Sequence, residues 1–197
     1  MEQIEKNKED FIKIYTENIK RDGADAFLDW IQKSDFFTAP ASTKYHGNYE
    51  GGLCEHVLNV YQALTDIVEK YKGIFEISPE TVAITSLLHD VCKIQFYKKG
   101  FRNVKNDDTG KWERVDCFTI EDQVPLGHGE KSAILIQSKM KLTLEELVAI
   151  RWHMSGWDNA TRGGEYAIST ASEKFPLVTM LQIADMESTY LLESKTE

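Results

Sequence analysis

Cysteine is scarce in this chain: Cys54, Cys92 and Cys117 are the three among 197 residues. Without a C-x-x-C pair or an even, regularly spaced set, they exclude a disulfide framework, a thiolate zinc site and a dithiol redox motif. A reducing compartment, the cytoplasm, is the expectation. Long apolar runs are also missing. No stretch approaches the roughly 20 residues that span a bilayer, and the charged start from Met1 to Asp10 lacks the apolar segment of a signal peptide, so no membrane association is expected. Positive charge is in deficit, with 23 Lys and Arg against 32 Asp and Glu and a formal net charge of −9. That balance leaves no basic stripe for a long nucleic acid, which points instead to a small substrate or a short oligonucleotide end. Internal repeats and low-complexity stretches are absent too.

What is present is the composition of a soluble globule, 42% apolar and 28% charged, long enough for a full core. Helical spacing dominates. Glu2–Ile19 and Ala24–Gln32 read as two helices of an N-terminal extension, residues 1–34, packed on a domain of residues 35–197. Phe36–Gly52 reads as a loop. Leu53–Tyr71 repeats apolar residues at steps of three and four, an amphipathic helix with His56 on its inward face. Ser78 as N-cap and Pro79 at the first helical position open the next helix, which runs to His89-Asp90. Tyr97–Ile120 changes texture, rich in Phe, Val and Thr around Asn106–Gly110, and is expected to be a small β-hairpin or a long loop. Helices follow at Leu126–Met140, from the cap Thr143 to His153, and from Glu173 to Leu192, with a loop marked by Gly156, Gly163 and Gly164.

The chemistry gathers on the histidines. All five lie between positions 46 and 153, and the ordered set His56, His89-Asp90, His128, His153 and Asp185 sits on or beside helices expected to pack together. A lone histidine on an apolar face is usually a satisfied core residue; six such groups in order imply an open catalytic metal site. Imidazole and carboxylate suit zinc, manganese, iron or, through oxygen, magnesium. Neighbours on a helix point about 100° apart, so His89 and Asp90 would not readily chelate one ion. Two ions about 3.5–4 Å apart remove that difficulty. Asp90 would bridge them, with His56, His89 and Asp185 on one and His128 and His153 on the other.

These pieces, Gly51–His56, Leu87–Lys93, Leu126–His128, Trp152-His153 and Ile183–Asp185, resemble the HD-domain superfamily of metal-dependent phosphohydrolases. Gly51–His56, preceded by Ala39-Pro40 and His46, is similar to the HD domain of bacterial 3′–5′ exoribonucleases more than to the deoxynucleotidase branch. Those nucleases carry an additional OB-fold, where this chain has a short helical segment. The resemblance implies an all-α HD bundle with a hairpin or loop inserted around 97–120. It implies one or two divalent ions (Mn, Fe, Mg, Ni or Zn) held by His56, His89, Asp90 and Asp185, with His128 and His153 extending the set to two, and hydrolysis of a phosphomonoester or phosphodiester. Asp90 and Lys93 would be catalytic, the lysine contacting phosphate as a point charge. Lys93, His46 and Arg162 are the candidate substrate contacts. Cys54 and Cys92 read as small buried hydrophobes. The same six-residue pattern also resembles mixed-valent di-iron oxygenases of the superfamily, which iron content and O₂ consumption would reveal. A third reading is a non-catalytic HD signalling module.

Overall fold

A computed structural model describes residues 1–193, which form nine α-helices and one two-stranded antiparallel sheet. Chain order runs α1 (Glu2–Asn18), α2 (Ala24–Lys33), α3 (Gly52–Lys70), α4 (Pro79–Leu88), β1 (Tyr97–Lys105) and β2 (Trp112–Ile120). It continues with α5 (His128–Gln137), α6 (Leu144–Trp152), α7 (Asn159–Arg162), α8 (Ala167–Lys174) and α9 (Pro176–Glu187). The expected helical bundle forms, and of the two alternatives for the insertion, hairpin or loop, the hairpin is the one found. Among the described residues no helix is long and apolar enough to cross a membrane.

Helix α3 is the axis of the molecule. Its buried residues Leu53 and Val57 join Phe11 and Tyr15 of α1, Phe27 and Ile31 of α2, and Leu87 and Leu88 of α4 in one apolar cluster. One and two turns further on, Val60, Leu64 and Ile67 enter a second cluster with α6, α8 and α9. The spacing of three and four on one stripe lets a single helix serve both cores. Helix α4 is buried from Val82 to Leu88, so it has no solvent face of its own and is held on all sides.

The legible caps do their work. Ser78 Oγ accepts from Thr81 N at 3.0 Å, and Thr143 and Glu146 form a reciprocal capping box at the start of α6. The fully buried Glu146 carboxylate does more than cap. It also accepts from both terminal nitrogens of Arg21, at 2.6 and 2.9 Å, and from Thr81 Oγ1 at 3.0 Å. Arg21 also pairs with Glu80 at 3.1 Å. The segment between α1 and α2 is thus pinned to α4 and α6 by a carboxylate whose lone pairs are all used, the condition under which a buried charge is tolerated.

Strands β1 and β2 pair from Tyr97↔Ile120 to Lys105↔Trp112. The Asn106 side chain closes the turn by accepting from Asp108 N and Thr109 N, each at 3.0 Å. Two other expectations need correction. The helix expected from Glu173 to Leu192 is interrupted: Phe175 is extended (φ −130°, ψ 93°) because it precedes Pro176, which opens α9. Its far end, Ser188–Leu192, is a π-helical turn. The glycine-marked stretch expected to be a loop contains a 3-10 turn, Ser155–Trp157, and then α7, whose first turn Asp158 caps by accepting from Ala160 N at 2.9 Å.

Helices α5 and α6 meet without a spacer at Gly129, where a Cβ would come within 2.2 Å of Arg151 O. This close approach sets the distance between the helix that begins with His128 and the helix that leads to His153. Gly129→Ala forces the backbones apart, an overpacking cost of about 1–3 kcal/mol. The expected result is a lowered melting temperature and reduced retention of divalent metal by the folded protein, read by calorimetry and elemental analysis.

Candidate metal centre

Two histidines reach the centre by the same local device. His89 and His153 are the residues that follow α4 and α6, both still in helical conformation (φ −57° and −58°). Each places its Nδ1 2.7 Å from the carbonyl oxygen three residues back, Ser86 O and Ile150 O respectively. A carbonyl can only accept, so Nδ1 carries a proton, and in the neutral ring Nε2 is then a bare lone pair. Helix C-terminal carbonyls need partners in any case, which makes the arrangement locally favourable. Both Nε2 atoms are buried, and neither finds a hydrogen-bond partner among the described residues.

Both point at Asp90. His89 Nε2 lies 3.6 Å from Asp90 Oδ2, and His153 Nε2 lies 3.6 Å from Oδ1. His128, the first residue of α5, is closer, with Nε2 2.7 Å from Oδ1. Lys93 comes back from a 3-10 turn, Val91–Lys93, and its Nζ sits 2.6 Å from Oδ2. His56 of α3 places Nε2 3.7 Å from Asp90 Oδ2 and 3.3 Å from Asp185 Oδ1 on α9. The rings run in a file, His46 to His56 to His89 to His153 to His128, with neighbouring centroids 4.8 to 5.4 Å apart.

The charges follow from this crowding. Burial pushes the Asp90 carboxyl up, yet Lys93 and the surrounding imidazoles outweigh it and hold the group well below the usual carboxylate range. Lys93 is likewise desolvated, but Asp90 keeps its ammonium above the ordinary lysine value. Burial lowers His89 to about 3, so it is neutral. His46 is lowered to about 4, by burial and then by His56. Burial also works against His56 and His128. For His56, hydrogen bonds to Asp185 and Glu193 reverse the effect and raise it to about 9. For His128, the Cys92 sulfur and Asp90 do so and raise it to about 10.

Donor atoms fall into four overlapping groups among the described residues, each within 4.8 Å: His46, His56 and Glu193; His56, His89 and Asp185; His89, Asp90 and His153; and Asp90, Cys92 and His128. Buried imidazole nitrogens with no hydrogen-bond partner among the described residues, beside the ionised Asp90 carboxylate, are the donor set that a divalent ion requires, so the residues fit such an ion. One sequence argument fails here. Helix α4 ends at Leu88, and Asp90 has left helical geometry (φ −109°), so His89 and Asp90 converge instead of diverging by a helical step. Adjacency alone therefore does not demand a second ion.

The centre forms the floor of a cavity of about 970 Å³, walled in part by Tyr45, Tyr49, Tyr97 and Trp157. His46 and Lys93 also line it. Both ring nitrogens of His46 are buried and find no hydrogen-bond partner among the described residues. Arg162 is not among the residues that line the cavity; it is exposed, its guanidinium 5.2 Å from the centre of the Trp157 ring. Lys131 is tied to Asp122 at 2.6 Å and Arg151 to Asp158 at 2.9 Å, so neither contributes. Sequence reasoning passed over Tyr97, whose hydroxyl donates to Ala41 O at 3.1 Å, and it read Cys92, which flanks the His89-Asp90 pair, as a small buried residue; buried it is, but against a histidine. The Cys92 Sγ lies 3.4 Å from His128 Nε2. It also passed over Glu193, 3.0 Å from His56 Nδ1, which no spacing rule connects to a histidine 137 positions earlier.

A family model described as HD domain matches residues 53–189. The dihydroneopterin 2′,3′-cyclic phosphate phosphodiesterase of Methanocaldococcus jannaschii is 31% identical over 86 residues, 42% of this chain and 31% of that protein. The aligned stretch thus spans less than a third of the relative's length. No solved structure matches the chain. The family match covers most of the sequence and includes His56, His89, Asp90, His128, His153 and Asp185; this chain belongs to the HD-domain family.

Proposed function

We propose that this protein is a metal-dependent phosphohydrolase that cleaves a phosphomonoester or phosphodiester of a nucleotide or short oligonucleotide. The observation that carries the reading is the pair of unpartnered Nε2 lone pairs, on His89 and His153, converging on an ionised carboxylate that a buried lysine also touches. His56, His89, Asp90 and Asp185 would hold one ion, and His128 and His153, sharing Asp90, a second. Divalent ions held there supply Lewis acidity toward a phosphoryl oxygen and toward water.

The chain's own groups supply the rest. Lys93 is 8% exposed and faces the cavity, so its charge acts in a low dielectric where it can offset negative charge growing on a phosphoryl oxygen. His46 is neutral, so its two unmatched nitrogens offer a substrate one donor and one acceptor. The aromatic wall, with Tyr45 and Trp157 largely exposed, suits stacking on a planar heterocycle. The Methanocaldococcus relative, named for dihydroneopterin 2′,3′-cyclic phosphate, supports a small ester over a polymer.

A panel of nucleotides, cyclic nucleotides and short oligonucleotides with Mn²⁺, Mg²⁺ or Fe²⁺ tests the activity. Turnover of at least one phosphoester is expected, falling to background in Asp90→Ala; undiminished turnover in that variant contradicts the assignment. Lys93→Met is expected to lower kcat on the order of 10²-fold, the usual loss of one charge-stabilising contact, with metal content retained. Unchanged kcat removes the lysine from the mechanism.

Ion uptake should also release protons. The folded-state values of His56 and His128, about 9 and about 10, lie above the ordinary histidine value, so both are charged at pH 7 before ligation. A ligating nitrogen must be bare, so affinity for Mn²⁺ rises with pH across 6 to 9, by about tenfold per unit for each proton released. Titration calorimetry in buffers of different ionisation enthalpy counts these protons, up to about two at pH 7.

A further inference from the structure

The imidazole of His56 faces a problem that His89 and His153 do not. Those two follow their helices and borrow a carbonyl that the helix leaves free, whereas His56 lies one turn inside α3, where the carbonyls behind it are committed to helical hydrogen bonds. Its Nδ1 therefore needs an acceptor from another part of the chain. Glu193 supplies it: the carboxylate oxygens lie 3.0 and 3.2 Å from His56 Nδ1. The Glu193 side chain is 3% exposed, and Asn59, three residues after His56, donates Nδ2 to Oε1 at 3.0 Å.

The route that delivers Glu193 is specific. Helix α9 carries Asp185 and runs directly into the π-helical turn Ser188–Leu192, closed by Glu193 N on Ser188 O at 3.0 Å. In a regular α-helix a residue eight positions after Asp185 would be displaced by about 80° around the axis. The wider π turn rotates the chain less per residue and returns Glu193 to the side that carries Asp185. One helix end thereby places a carboxylate on each ring nitrogen of the same histidine, Asp185 on Nε2 and Glu193 on Nδ1.

We infer that Glu193 is a positioning residue for His56, accepting the Nδ1 proton so that the Nε2 lone pair is fixed toward Asp90 and Asp185. Glu193 lies beyond the matched segment 53–189. The inference rests on the reading of His56 as a metal-holding residue. Its logic is general: a carboxylate or carbonyl behind a ligating imidazole sets the tautomer, holds the ring and raises ligand basicity.

Two readouts test it, neither of them turnover. Mn²⁺ binding, measured by calorimetry or by the electron paramagnetic resonance of free Mn²⁺, is expected to weaken 10–100-fold in Glu193→Ala with the stoichiometry unchanged. Glu193→Gln, which keeps an acceptor oxygen, should recover most of that loss. Nitrogen-15 correlation spectra of the metal-free protein at pH 10 should show His56 as the Nδ1–H tautomer in the wild type and a mixture in Glu193→Ala. Unchanged Mn²⁺ affinity in Glu193→Ala, or an unchanged tautomer, overturns the proposal. Loss of one ion from the stoichiometry also overturns it, because Glu193 would then be a ligand itself. A lower melting temperature with wild-type affinity in the folded fraction marks a merely structural role, with the same consequence. Should Glu193→Ala fail to fold, Asn59→Ala, which frees Oε1 from its second partner, is expected to weaken binding severalfold. Mn²⁺ binding that depends on Glu193 in a protein that turns over no phosphoester would sink the proposed activity and leave this assignment standing.

Discussion

Asp90 is an ionised carboxylate placed where solvent does not reach, 2% exposed at the meeting point of five elements, and the rest of the structure has to accommodate that charge. An isolated buried charge is costly enough that it would be neutralised or expelled. It persists because Lys93 and His128 make close contacts, one to each oxygen, and because His56, His89 and His153 stand within 3.7 Å. Each partner arrives from a different segment, so the carboxylate and the helix packing impose conditions on each other. Moving α5 or α6 by a fraction of an ångström would alter the environment of the charge.

The helix ends carry much of this arrangement. α4 and α6 deliver His89 and His153 just past their last turns, where a free carbonyl three residues back orients the ring. α5 delivers His128 at its first residue, and α9 delivers Asp185 near its last turn. Among the imidazoles of the centre, only His56 comes from a helix interior, and its second nitrogen calls on a distant carboxylate. A bundle in which several termini converge can present donors from many directions while its apolar stripes remain sealed in the two clusters on either side of α3.

Much of the fold could be read from residue order. The stripe Leu53–Ile67, the Ser78-Pro79 start and the Thr143–Glu146 capping box are short-range patterns whose physics is local, and each element appears where those patterns put it. At Asn106–Gly110 residue order marked a turn but left hairpin and long loop both open, because strand pairing is not a local property. The Phe175-Pro176 break was also written locally, in the restriction a proline places on the residue before it, but apolar periodicity on both sides masked it. The π turn had no local signature: nothing in Ser188–Leu192 distinguishes it from a continuing α-helix.

By itself the sequence determined which side chains are available for chemistry and on which elements they ride: imidazoles and carboxylates in a set order, with no thiolate cluster to compete, on helices of ordinary amphipathic pattern. Tertiary structure decided where those side chains aim. It turned His89 and Asp90 toward each other because the helix stops between Leu88 and Asp90, and it left Arg162 out of the cavity lining, near Trp157. It also drew Cys92 against His128, and Glu193 across 137 positions to His56. Spacing rules reach about one helical turn; a lone pair's direction depends on what the far side of the ring is bonded to, and that partner is chosen only when the helices pack.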